Sequence, residues 1–435
     1  MVSSIQKQYD VVVVGGGPAG MAAATTAAEC GLKVCIVDDN VGIGGQIWRG
    51  ETVGSVSDAR EWSERLRCAK VDIICGARVF GASDKKSVLA EQAETVYEFG
   101  YDKLILATGA RERFLPFPGW TLPNVMGAGG LQALAKSGLP IKRKRVVMAG
   151  TGPLLLAVAA YLRSHEADVV MICEQASWRS LTWFGIGLLR GRQKLQQALR
   201  LRKELSGIPF QANCWPVEAR GNEVLEAVVI MQNSKLEAIP CDYLACGFHL
   251  APNTELAQLL GCEVKDDFVC VDEFQQTTVP GIFCAGEPTG IGGLEMSILE
   301  GEIAGLAAAE KNSTAHKLFK RKQRMRSFAD ALNKTFALRP ELRSLPSAET
   351  VICRCEDVTY SRLGAQASWR AAKLHTRCGM GPCQGRVCGP ATQFLFGWSP
   401  ESVRPPICPA YLENLSVMFS QSGRQHDNQE TGGCA

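Results

Sequence analysis

The sequence predicts an α/β protein with two Rossmann-like dinucleotide-binding domains and a small cysteine-rich domain near its C-terminal end. Two observations predict the Rossmann-like domains: an apolar strand, a glycine-rich turn and a helix follow one another near residue 10, and the same pattern returns near residue 145. The cysteine-rich domain is predicted because five of the 18 cysteines lie between Cys353 and Cys388.

The composition is that of an ordinary globular protein. With 435 residues, of which 46% are hydrophobic and 21% charged, the chain can form about two to four domains. A net charge of +3 is too small to predict nucleic-acid or membrane partners. We find neither a signal peptide nor an apolar run long enough for a membrane span. Several cysteines lie inside apolar strands, as reduced thiols do, so we expect a cytoplasmic protein.

The first copy of the pattern begins with the strand 11–14, whose four valines show no polar alternation and predict burial on both faces. Gly15, Gly17 and Gly20 follow at G-x-G-x-x-G spacing. In this motif the first glycine forms a tight turn, the second lets the backbone approach a pyrophosphate, and the third lets the helix pack on the strand. The N-terminus of that helix offers free N–H groups to phosphates.

A second apolar strand, 33–38, ends in an acid 18 residues after Gly20. A carboxylate at this position holds the ribose hydroxyls of an adenosine, which makes Asp38 a candidate ligand. The loop that follows contains Gly45 and Gln46. A glycine there lets the backbone pass close to a flat ligand, to which Gln46 can hydrogen-bond.

The order of glycine fingerprint, acid and Gly-Gly-Gln resembles that of the two-domain flavoproteins of the thioredoxin-reductase type, which bind FAD here. Two later strands end in motifs of this family. One ends in Ala107-Thr-Gly, where the family chain leaves the FAD domain, and the other ends in Gly286-Glu287, where the family has Gly-Asp at the ribityl chain and pyrophosphate. The resemblance implies FAD contacts at Gly15, Gly17, Pro18, Ala19, Gly20, Asp38, Gly45, Gln46, Ala107, Thr108, Gly109, Gly286 and Glu287.

The second copy of the pattern is degenerate. It has a strand and turn at 145–152, a helix from Pro153, and a strand that ends in Glu174, but Leu155 stands where the third glycine belongs. A leucine there should push the helix off the strand and impair a pyrophosphate site. Three interpretations stay open: an NAD(P)H site as in the family, a site for another adenine nucleotide, and a purely structural domain.

The cysteines outside the C-terminal region do not predict the redox disulfide of a thioredoxin reductase. Four residues separate Cys30 from Cys35, a spacing found in redox-active disulfides. Because these two lie at a helix end and inside a strand, we interpret both as core residues. The second domain contains no C-x-x-C, so thioredoxin-reductase chemistry is excluded.

The cysteine-rich region contains close thiol pairs on glycine-rich turns. Such turns suit an iron–sulfur cluster, because four sulfurs must converge while backbone N–H groups approach them. Structural zinc also takes four thiolates, and both zinc and the absence of a metal stay open on these grounds.

The pattern Cys-x-Cys-Glu-x-Val-Thr, followed by Thr-Arg-x-Gly-Met-Gly-x-Cys-Gln-Gly-Arg-x-Cys, resembles the bacterioferritin-associated-ferredoxin-like [2Fe–2S] domain. This resemblance implies the ligands Cys353, Cys355, Cys383 and Cys388. Cys378 is then a spare thiol at a position where a small residue is expected, and its exchange for one ligand is the alternative assignment.

Over nearly its whole length the chain resembles the alpha subunits of heteromeric amino-acid dehydrogenases, a group that includes opine oxidase, D-hydroxyproline dehydrogenase, heteromeric proline dehydrogenase and hydrogen cyanide synthase. The stretch 107–123 and the Cys-Gln-Gly-Arg element carry most of this resemblance, while Asn124 replaces an expected glycine. The resemblance implies that a flavin-containing, amino-acid-oxidase-like beta subunit oxidises the substrate at a C–N bond. This chain would accept the electrons through FAD and pass them on singly through [2Fe–2S].

Some members of the group also hold FMN at a subunit interface or add a small ferredoxin-like gamma subunit, and the sequence leaves both open. No catalytic acid–base arrangement stands out in the chain. Two other functions stay open: an NAD(P)H-dependent reductase of a ferredoxin-like partner, against which Leu155 counts, and a scaffold subunit without turnover of its own.

A basic stretch at 316–326 carries apolar residues at helical spacing, which predicts a solvated amphipathic helix; nucleic-acid or membrane-surface binding is the alternative. We also expect that removing the residues after 348 spares FAD binding.

The predicted organisation has five parts. They are an FAD-binding domain (1–118 and 248–312), a second nucleotide-binding domain (119–247), a linker helix (313–348), a [2Fe–2S] domain (349–420) and a disordered tail (421–435).

Overall fold

The structure is a computed structural model that describes residues 4–48, 57–83, 86–188, 192–399 and 403–416. The predicted tail, 421–435, lies outside the described residues. The chain divides into two compact units: the first comprises Met1–Ala110, Pro252–Arg326 and Ser402–Ala435, and the second comprises Arg111–Ala251 and Ser327–Glu401. No helix in the described part of the chain is long and apolar enough to cross a membrane.

The strands and helices are numbered in chain order. The strands are β1 (Ile5–Val14), β2 (Val34–Asp38), β3 (Asp72–Cys75), β4 (Arg78–Ser83), β5 (Ser87–Gln92), β6 (Thr95–Leu106), β7 (Ala110–Glu112), β8 (Val125–Gly127), β9 (Arg145–Thr151), β10 (Asp168–Glu174), β11 (Phe210–Ala212), β12 (Cys214–Arg220), β13 (Ala227–Gln232), β14 (Lys235–Pro240), β15 (Tyr243–Phe248), β16 (Leu250–Pro252), β17 (Val264–Lys265), β18 (Phe268–Val269), β19 (Ile282–Cys284), β20 (Val351–Cys353) and β21 (Val358–Thr359). The helices are α1 (Pro18–Glu29), α2 (Gly45–Trp48), α3 (Ser57–Cys68), α4 (Ala128–Lys136), α5 (Pro153–Ser164), α6 (Trp178–Leu188), α7 (Arg192–Glu204), α8 (Glu255–Leu259), α9 (Leu294–Ala308), α10 (Asn312–His316), α11 (Phe319–Thr335), α12 (Tyr360–Gly364), α13 (Trp369–Thr376) and α14 (Cys388–Phe396).

The first unit is built on a sheet with the strand order β3-β2-β1-β6-β5-β4, in which β19 also pairs with β6. Strands β3, β2, β1, β6 and β19 are parallel, whereas β5 and β4 form an antiparallel extension. Val11, Val12 and Val13 are fully buried between β2 and β6. The apolar run therefore forms the predicted strand with two covered faces, because parallel neighbours on both sides leave room for helices above and below.

Helix α1 packs against α9 through small residues. A Cβ on Gly301 would lie 2.2 Å from the carbonyl oxygen of Ala19, and a Cβ on Gly305 would lie 2.5 Å from that of Ala23. Real side chains do not approach so closely, so the two helix backbones can touch only because glycine stands at both positions. This contact holds the N-terminal end of α1 next to the segment that precedes α9.

The second unit contains a parallel sheet with the order β11-β10-β9-β15-β8 and a separate antiparallel sheet, β12-β13-β14. The first of these repeats the arrangement of strand, glycine turn, helix and strand seen in the first unit. Asn124, which replaces the expected glycine, has φ +74°. Asparagine tolerates this left-handed conformation better than most residues, which explains its presence there.

The cysteine-rich region packs within the second unit. Its own core is a small cluster that includes Ile352, Val358 and Trp369. The indole of Trp120 donates a hydrogen bond of 2.6 Å to the carbonyl of Val351. This hydrogen bond joins the region to the rest of the second unit.

Residues 403–416, predicted to belong to the [2Fe–2S] domain, pack instead in the first unit. The carboxylate of Glu91 accepts hydrogen bonds from the backbone N–H of Tyr411 at 3.1 Å and the side-chain amide of Asn414 at 2.9 Å. Cys408 is buried in a cluster with Phe80. The end of the described chain thus completes the antiparallel edge of the first sheet.

Candidate functional site

The glycine turn of the first unit is tightly packed at two of its three glycines. Gly15 has φ +106°, and a Cβ there would lie 2.2 Å from the carbonyl oxygen of Ala107. A Cβ on Gly20 would lie 1.8 Å from the carbonyl oxygen of Gly15. Neither position admits a side chain, and α1 can therefore pack directly against the end of β1.

Gly17 differs from these two glycines because it borders open space. A Cβ on Gly17 would have the Cα of Gly45 as its nearest neighbour, 3.9 Å away. Gly17 is the N-cap of α1, its φ is −75°, and no side chain caps the helix. Pro18 carries no N–H, so the first N–H groups of the helix belong to Ala19 and Gly20, and they suit an anion such as a pyrophosphate.

Asp38 ends strand β2 and connects the glycine turn to the next loop. The residue is 5% exposed, and one carboxylate oxygen accepts a hydrogen bond of 2.5 Å from the backbone N–H of Gly16. The other oxygen accepts from the backbone N–H of Asn40 at 2.7 Å and from its side-chain amide at 2.8 Å. Sequence reasoning predicted Asp38 but missed Asn40, which no motif marks.

The loop that contains Gly45 and Gln46 lies against the same turn. The N–H of Gly44 donates a hydrogen bond of 2.7 Å to the carbonyl of Gly16. A Cβ on Gly45 would lie 3.0 Å from the Cα of Gly17. Gln46 follows in helix α2 with its side chain exposed.

Strand β6 leads to the turn with Ala107, Thr108 and Gly109. The N–H of Ala107 donates to the carbonyl of Val14 at 2.8 Å. The hydroxyl of Thr108 donates to the carbonyl of Asn253 at 2.6 Å, and the amide of Asn253 donates back to the carbonyl of Thr108 at 2.8 Å. The backbone N–H of Asn253 also donates to the carbonyl of Gly109. Asn253 therefore holds this segment in place, a role that sequence reasoning missed.

Gly286 follows strand β19 and lies beside the start of α1. A Cβ on Gly286 would lie 2.9 Å from the Cβ of Ala19. The N–H of Gly286 and the hydroxyl of Thr289 donate to one carboxylate oxygen of Glu300, at 3.0 and 2.9 Å. Glu300 is 1% exposed, and burial raises its pKa above the ordinary value. Sequence reasoning did not predict this role for Glu300.

Glu287, predicted to replace the family's aspartate, is half-buried. Burial raises the pKa of its carboxyl group, and among the described residues this group has no hydrogen-bond partner. The predicted FAD residues thus come together around the N-terminus of α1, at the carboxyl ends of β1, β6 and β19. An uncapped helix end, open space at Gly17 and an available carboxyl group fit the pyrophosphate and hydroxyl groups of FAD.

The basic helix α11 is not solvated along its whole length. In the first unit, the ammonium group of Lys322 donates to the side-chain oxygen of Gln275 and, at 3.4 Å, to the carbonyl of Glu273. The guanidinium of Arg326 donates to the carbonyl of Thr289 at 3.4 Å. Burial lowers the pKa of Lys322, while the nearby carboxyl of Glu300 opposes this effect. For Lys322 and Arg326 the structure therefore differs from the predicted solvated helix.

In the second unit, Glu174 corresponds to the predicted ribose acid. It is 3% exposed, and one of its oxygens accepts hydrogen bonds of 2.8 Å from the hydroxyl of Thr151 and the N–H of Ala176. The other oxygen accepts a bond of 2.8 Å from the N–H of Gly152. Burial raises the pKa of Glu174 to about 7. Glu174 therefore stands to its glycine turn as Asp38 stands to the first one, and its hydrogen bonds alone do not exclude a ribose.

Leu155 is accommodated in this unit by a glycine on the neighbouring strand. The side chain of Leu155 is 1% exposed and belongs to the core between α5 and the sheet. A Cβ on Gly247, in β15, would lie only 3.2 Å from Cδ2 of Leu155. The missing glycine in the motif is therefore matched by a glycine in β15 that makes room for the larger side chain.

The chain itself covers the glycine turn of the second unit. The carbonyl of Phe336 accepts a hydrogen bond of 3.2 Å from the Thr151 hydroxyl, and its ring lies 4.0 Å from where a Cβ on Gly152 would be. The side chain of Gln175 donates to the carbonyl of Ala337 at 3.1 Å and accepts from the N–H of Arg339 at 3.2 Å. Residues 336–339 thus lie where a dinucleotide would approach the turn.

Three cysteines of the C-terminal region form a buried group. The sulfur atoms of Cys353, Cys378 and Cys388 all lie within 4.8 Å of one another. Cys378 donates a weak hydrogen bond of 3.8 Å to the sulfur of Cys388. Hydrogen bonds from Cys378 and Cys388 lower the pKa of Cys353 below its ordinary value.

The two other cysteines of the region, Cys355 and Cys383, lie close enough to each other to interact electrostatically. A Cβ on Gly381 would lie 2.3 Å from the Cβ of Cys355, so a glycine is needed for the loop to approach it. Of the four predicted ligands, the structure thus groups Cys353 and Cys388 with Cys378, whereas Cys355 and Cys383 lie outside that group. Such a set of thiols fits a cluster or a metal ion that takes four thiolates.

Cys30 and Cys35 are not joined by a disulfide in the structure. Cys35 is fully buried in the sheet core, and burial raises its pKa to about 12. A thiol with so high a pKa is a poor nucleophile, in keeping with its interpretation as a core residue.

Comparisons with known proteins cover nearly the whole chain. A family model described as pyridine nucleotide-disulphide oxidoreductase matches residues 9–311. The hydrogen cyanide synthase subunit HcnB of Pseudomonas protegens is 33% identical, over 87% of this chain and 89% of its own. An opine oxidase subunit of Rhizobium meliloti is 30% identical, over 99% of this chain and 93% of its own.

Among solved structures, L-proline dehydrogenase from P. horikoshii superimposes with a TM-score of 0.66. The match covers 95% of this chain and 81% of that chain, at 18% sequence identity. At this identity the likeness supports the fold alone, and it extends that support beyond residue 311.

Proposed function

The chain belongs to the pyridine nucleotide-disulphide oxidoreductase family of flavoproteins, in the group that holds the opine oxidase and hydrogen cyanide synthase HcnB subunits, and we propose that it is an electron-transfer subunit with FAD and [2Fe–2S]. Its heteromeric enzyme would oxidise an amino acid, imino acid or opine at the C–N bond. The observation that carries this proposal is one chain with two features: an open glycine turn in the first unit and a convergent set of thiols in the second.

In this proposal the first unit binds FAD. The N–H groups of Ala19 and Gly20 bind the pyrophosphate, which reaches them across the open space at Gly17. Asp38 binds the adenosine ribose from its fixed position beside the glycine turn. Glu287 accepts hydrogen bonds from hydroxyl groups of the ribityl chain, since its carboxyl group has no other partner among the described residues.

The thiols of the second unit hold the cluster, with Cys353, Cys355, Cys383 and Cys388 as the proposed ligands. When bound, FAD accepts electrons in pairs, and [2Fe–2S] carries them one at a time. Of the four proposed ligands, Cys353 and Cys388 are buried, Cys383 is half-buried and Cys355 is exposed.

Substrate oxidation is assigned to a partner protein that carries its own flavin. The names of the two relatives describe them as subunits, which supports a partner for this chain as well. A small ferredoxin-like subunit and an FMN between subunits are compatible with this proposal. The chain has only five histidines, and no catalytic residue of its own is proposed for the C–N bond.

The test begins with the native complex. A tagged chain, expressed in its natural host with the partner genes, is purified anaerobically, and its flavin, iron and partner subunits are identified. A panel of amino acids, imino acids and opines is then supplied with an artificial electron acceptor. We expect FAD and iron in the complex, and flavin bleaching by at least one of these amines.

Three results would contradict the proposal. Rapid bleaching by NADH with no response to any amine would support the reductase function instead. Turnover by the partner with no reduction of the FAD of this chain would support a scaffold role. Zinc in place of iron would overturn the cluster assignment.

A further inference from the structure

Cys378 lies outside the proposed ligand set, yet the structure places its sulfur inside the buried group of thiols. We infer that Cys378 is an alternative cluster ligand that can take the coordination position of Cys388. This inference rests on the proposed function, because it requires that a cluster is bound.

The backbone holds Cys378 in this place. Arg377, the residue before it, ends helix α13 in a left-handed conformation with φ +66°. The N–H of Cys378 then donates to the hydroxyl of Thr376 at 3.3 Å. Cys378 is 0% exposed, and its sulfur lies 3.8 Å from that of Cys388. A residue that only filled space would not need a sulfur directed at another thiol.

The five thiols are divided unevenly. Cys353, Cys378 and Cys388 form one group, and Cys355 and Cys383 form a separate pair. A [2Fe–2S] cluster takes four protein ligands, two on each iron. The pair can supply one iron, whereas the other group has one thiol more than the second iron requires. Because Cys378 and Cys388 are adjacent, either sulfur can reach the same iron while Cys353 keeps its bond.

The exchange of Cys388 for Cys378 as a ligand needs no oxidant or reductant. The bond between iron and the sulfur of Cys388 breaks, and a bond between iron and the sulfur of Cys378 forms. The proton of the Cys378 thiol moves to the sulfur of Cys388, along the hydrogen bond that already joins them. The net charge stays the same, and no electron is transferred.

The alternative explanation is that Cys378 is a small buried hydrophobe, as free cysteines often are. The two explanations differ in what happens when Cys388 is lost. A space-filling Cys378 leaves the cluster with three ligands, whereas an alternative ligand restores the fourth. Alanine is the right replacement in this test, because the oxygen of a serine could itself bind iron.

The experiment compares four variants of the full chain, purified anaerobically with the partner: Cys378→Ala, Cys388→Ala, the double variant and Cys355→Ala. Iron per chain, the visible spectrum and the electron paramagnetic resonance of the reduced cluster are measured. Cys355→Ala is the matched control, because its neighbouring thiol, Cys383, is already a proposed ligand.

We expect Cys378→Ala to keep the wild-type iron content and Cys388→Ala to keep about half or more, with shifted resonance. The double variant and Cys355→Ala should each lose roughly nine-tenths of the iron. The inference is overturned if Cys388→Ala loses as much iron as Cys355→Ala does. A wild-type complex that contains no iron would instead overturn the proposed function.

Discussion

The carbonyl oxygen of Phe336 accepts a hydrogen bond of 3.2 Å from the hydroxyl of Thr151, in the glycine turn of the second unit. The same hydroxyl lies 2.8 Å from a carboxylate oxygen of Glu174, so its single proton is shared between the two acceptors and links the turn, the acid and the residue that follows helix α11. The turn that binds phosphates in proteins of this type is therefore bonded to the protein's own backbone. In the sequence, only Leu155 indicates that this turn differs from a phosphate-binding turn. In the structure, the turn is covered by residues 336–339.

We predict that the wild-type chain does not bind NADH. Residues 336–339 would have to leave the glycine turn before a dinucleotide could reach it. Titration calorimetry should detect no binding at micromolar concentrations, and NADH should not bleach the flavin. Micromolar affinity followed by hydride transfer to FAD would contradict this prediction.

We predict that Gly17→Val abolishes FAD binding without unfolding the protein. The backbone at Gly17 has φ −75°, and its nearest neighbour lies 3.9 Å from the site of a Cβ, so the first atom of a side chain meets no protein atom closely. The side chain would instead occupy the place of the pyrophosphate. The purified variant should release no FAD on denaturation, while its circular dichroism spectrum stays that of the wild type.

Two control variants separate binding from folding in that experiment. Gly185→Ala, in helix α6, adds a methyl group in open space and should leave a folded protein that binds FAD. Gly20→Ala would place a Cβ 1.8 Å from the carbonyl of Gly15 and should impair folding. A Gly17→Val protein that keeps one FAD per chain would sink the assignment of this site.

We predict that Glu174 makes the free energy of unfolding depend on pH. Burial raises its pKa from 4.5 to about 7, so between these values the folded state binds more protons than the unfolded state. Its contribution therefore falls as the pH rises through this range, by on the order of 3 kcal/mol in total. Below pH 4.5 the group is protonated in both states, and the stability is fully retained.

Urea unfolding at a series of pH values between about 5 and 8 would measure this effect. The wild-type protein is compared with Glu174→Gln, which removes the titrating group. The difference between the two curves isolates Glu174 from the other titrating groups. Parallel curves across this range would show that Glu174 does not titrate there.

We predict that the segment 403–416 stabilises the first unit. Asn414 is 1% exposed and donates to the carboxylate of Glu91, which is 8% exposed. Asn414→Ala should lower the free energy of unfolding by about 1–3 kcal/mol, because it removes a donor from a buried charged acceptor. Leu412→Ala is the control, since Leu412 is 83% exposed and its loss should change the stability by less than about 0.5 kcal/mol.

The same contacts revise the expectation that the chain can be cut after residue 348 without harm to the FAD domain. Such a truncation removes Asn414 and Cys408 from the first unit and exposes Phe80, which is now fully buried. We therefore expect the truncated chain to unfold at a lower urea concentration. If it keeps the wild-type midpoint and its FAD, the segment does not have this role.

Much of the candidate site could be predicted because its motifs are local. The glycines, Asp38 and the ends of β6 and β19 are marked by short patterns that follow apolar strands, and parallel strands bring such ends to one edge of a sheet. Asn40, Asn253 and Glu300 were missed because each acts through a contact that no short motif encodes. Asn253 reaches Thr108 across 145 positions of the chain.

By itself the sequence determined the two strand–turn–helix units, the candidate FAD residues and the set of cysteines, since each depends on neighbours within a few residues. The tertiary structure decided whether each glycine turn is open to a ligand and which cysteines lie close together. Gly247 makes room for Leu155, residues 336–339 cover the second glycine turn, and Cys378 joins the thiol group. Each of these results depends on segments distant in sequence that meet only in the packed fold. Whether a site is open or covered is set by that packing and not by the motif.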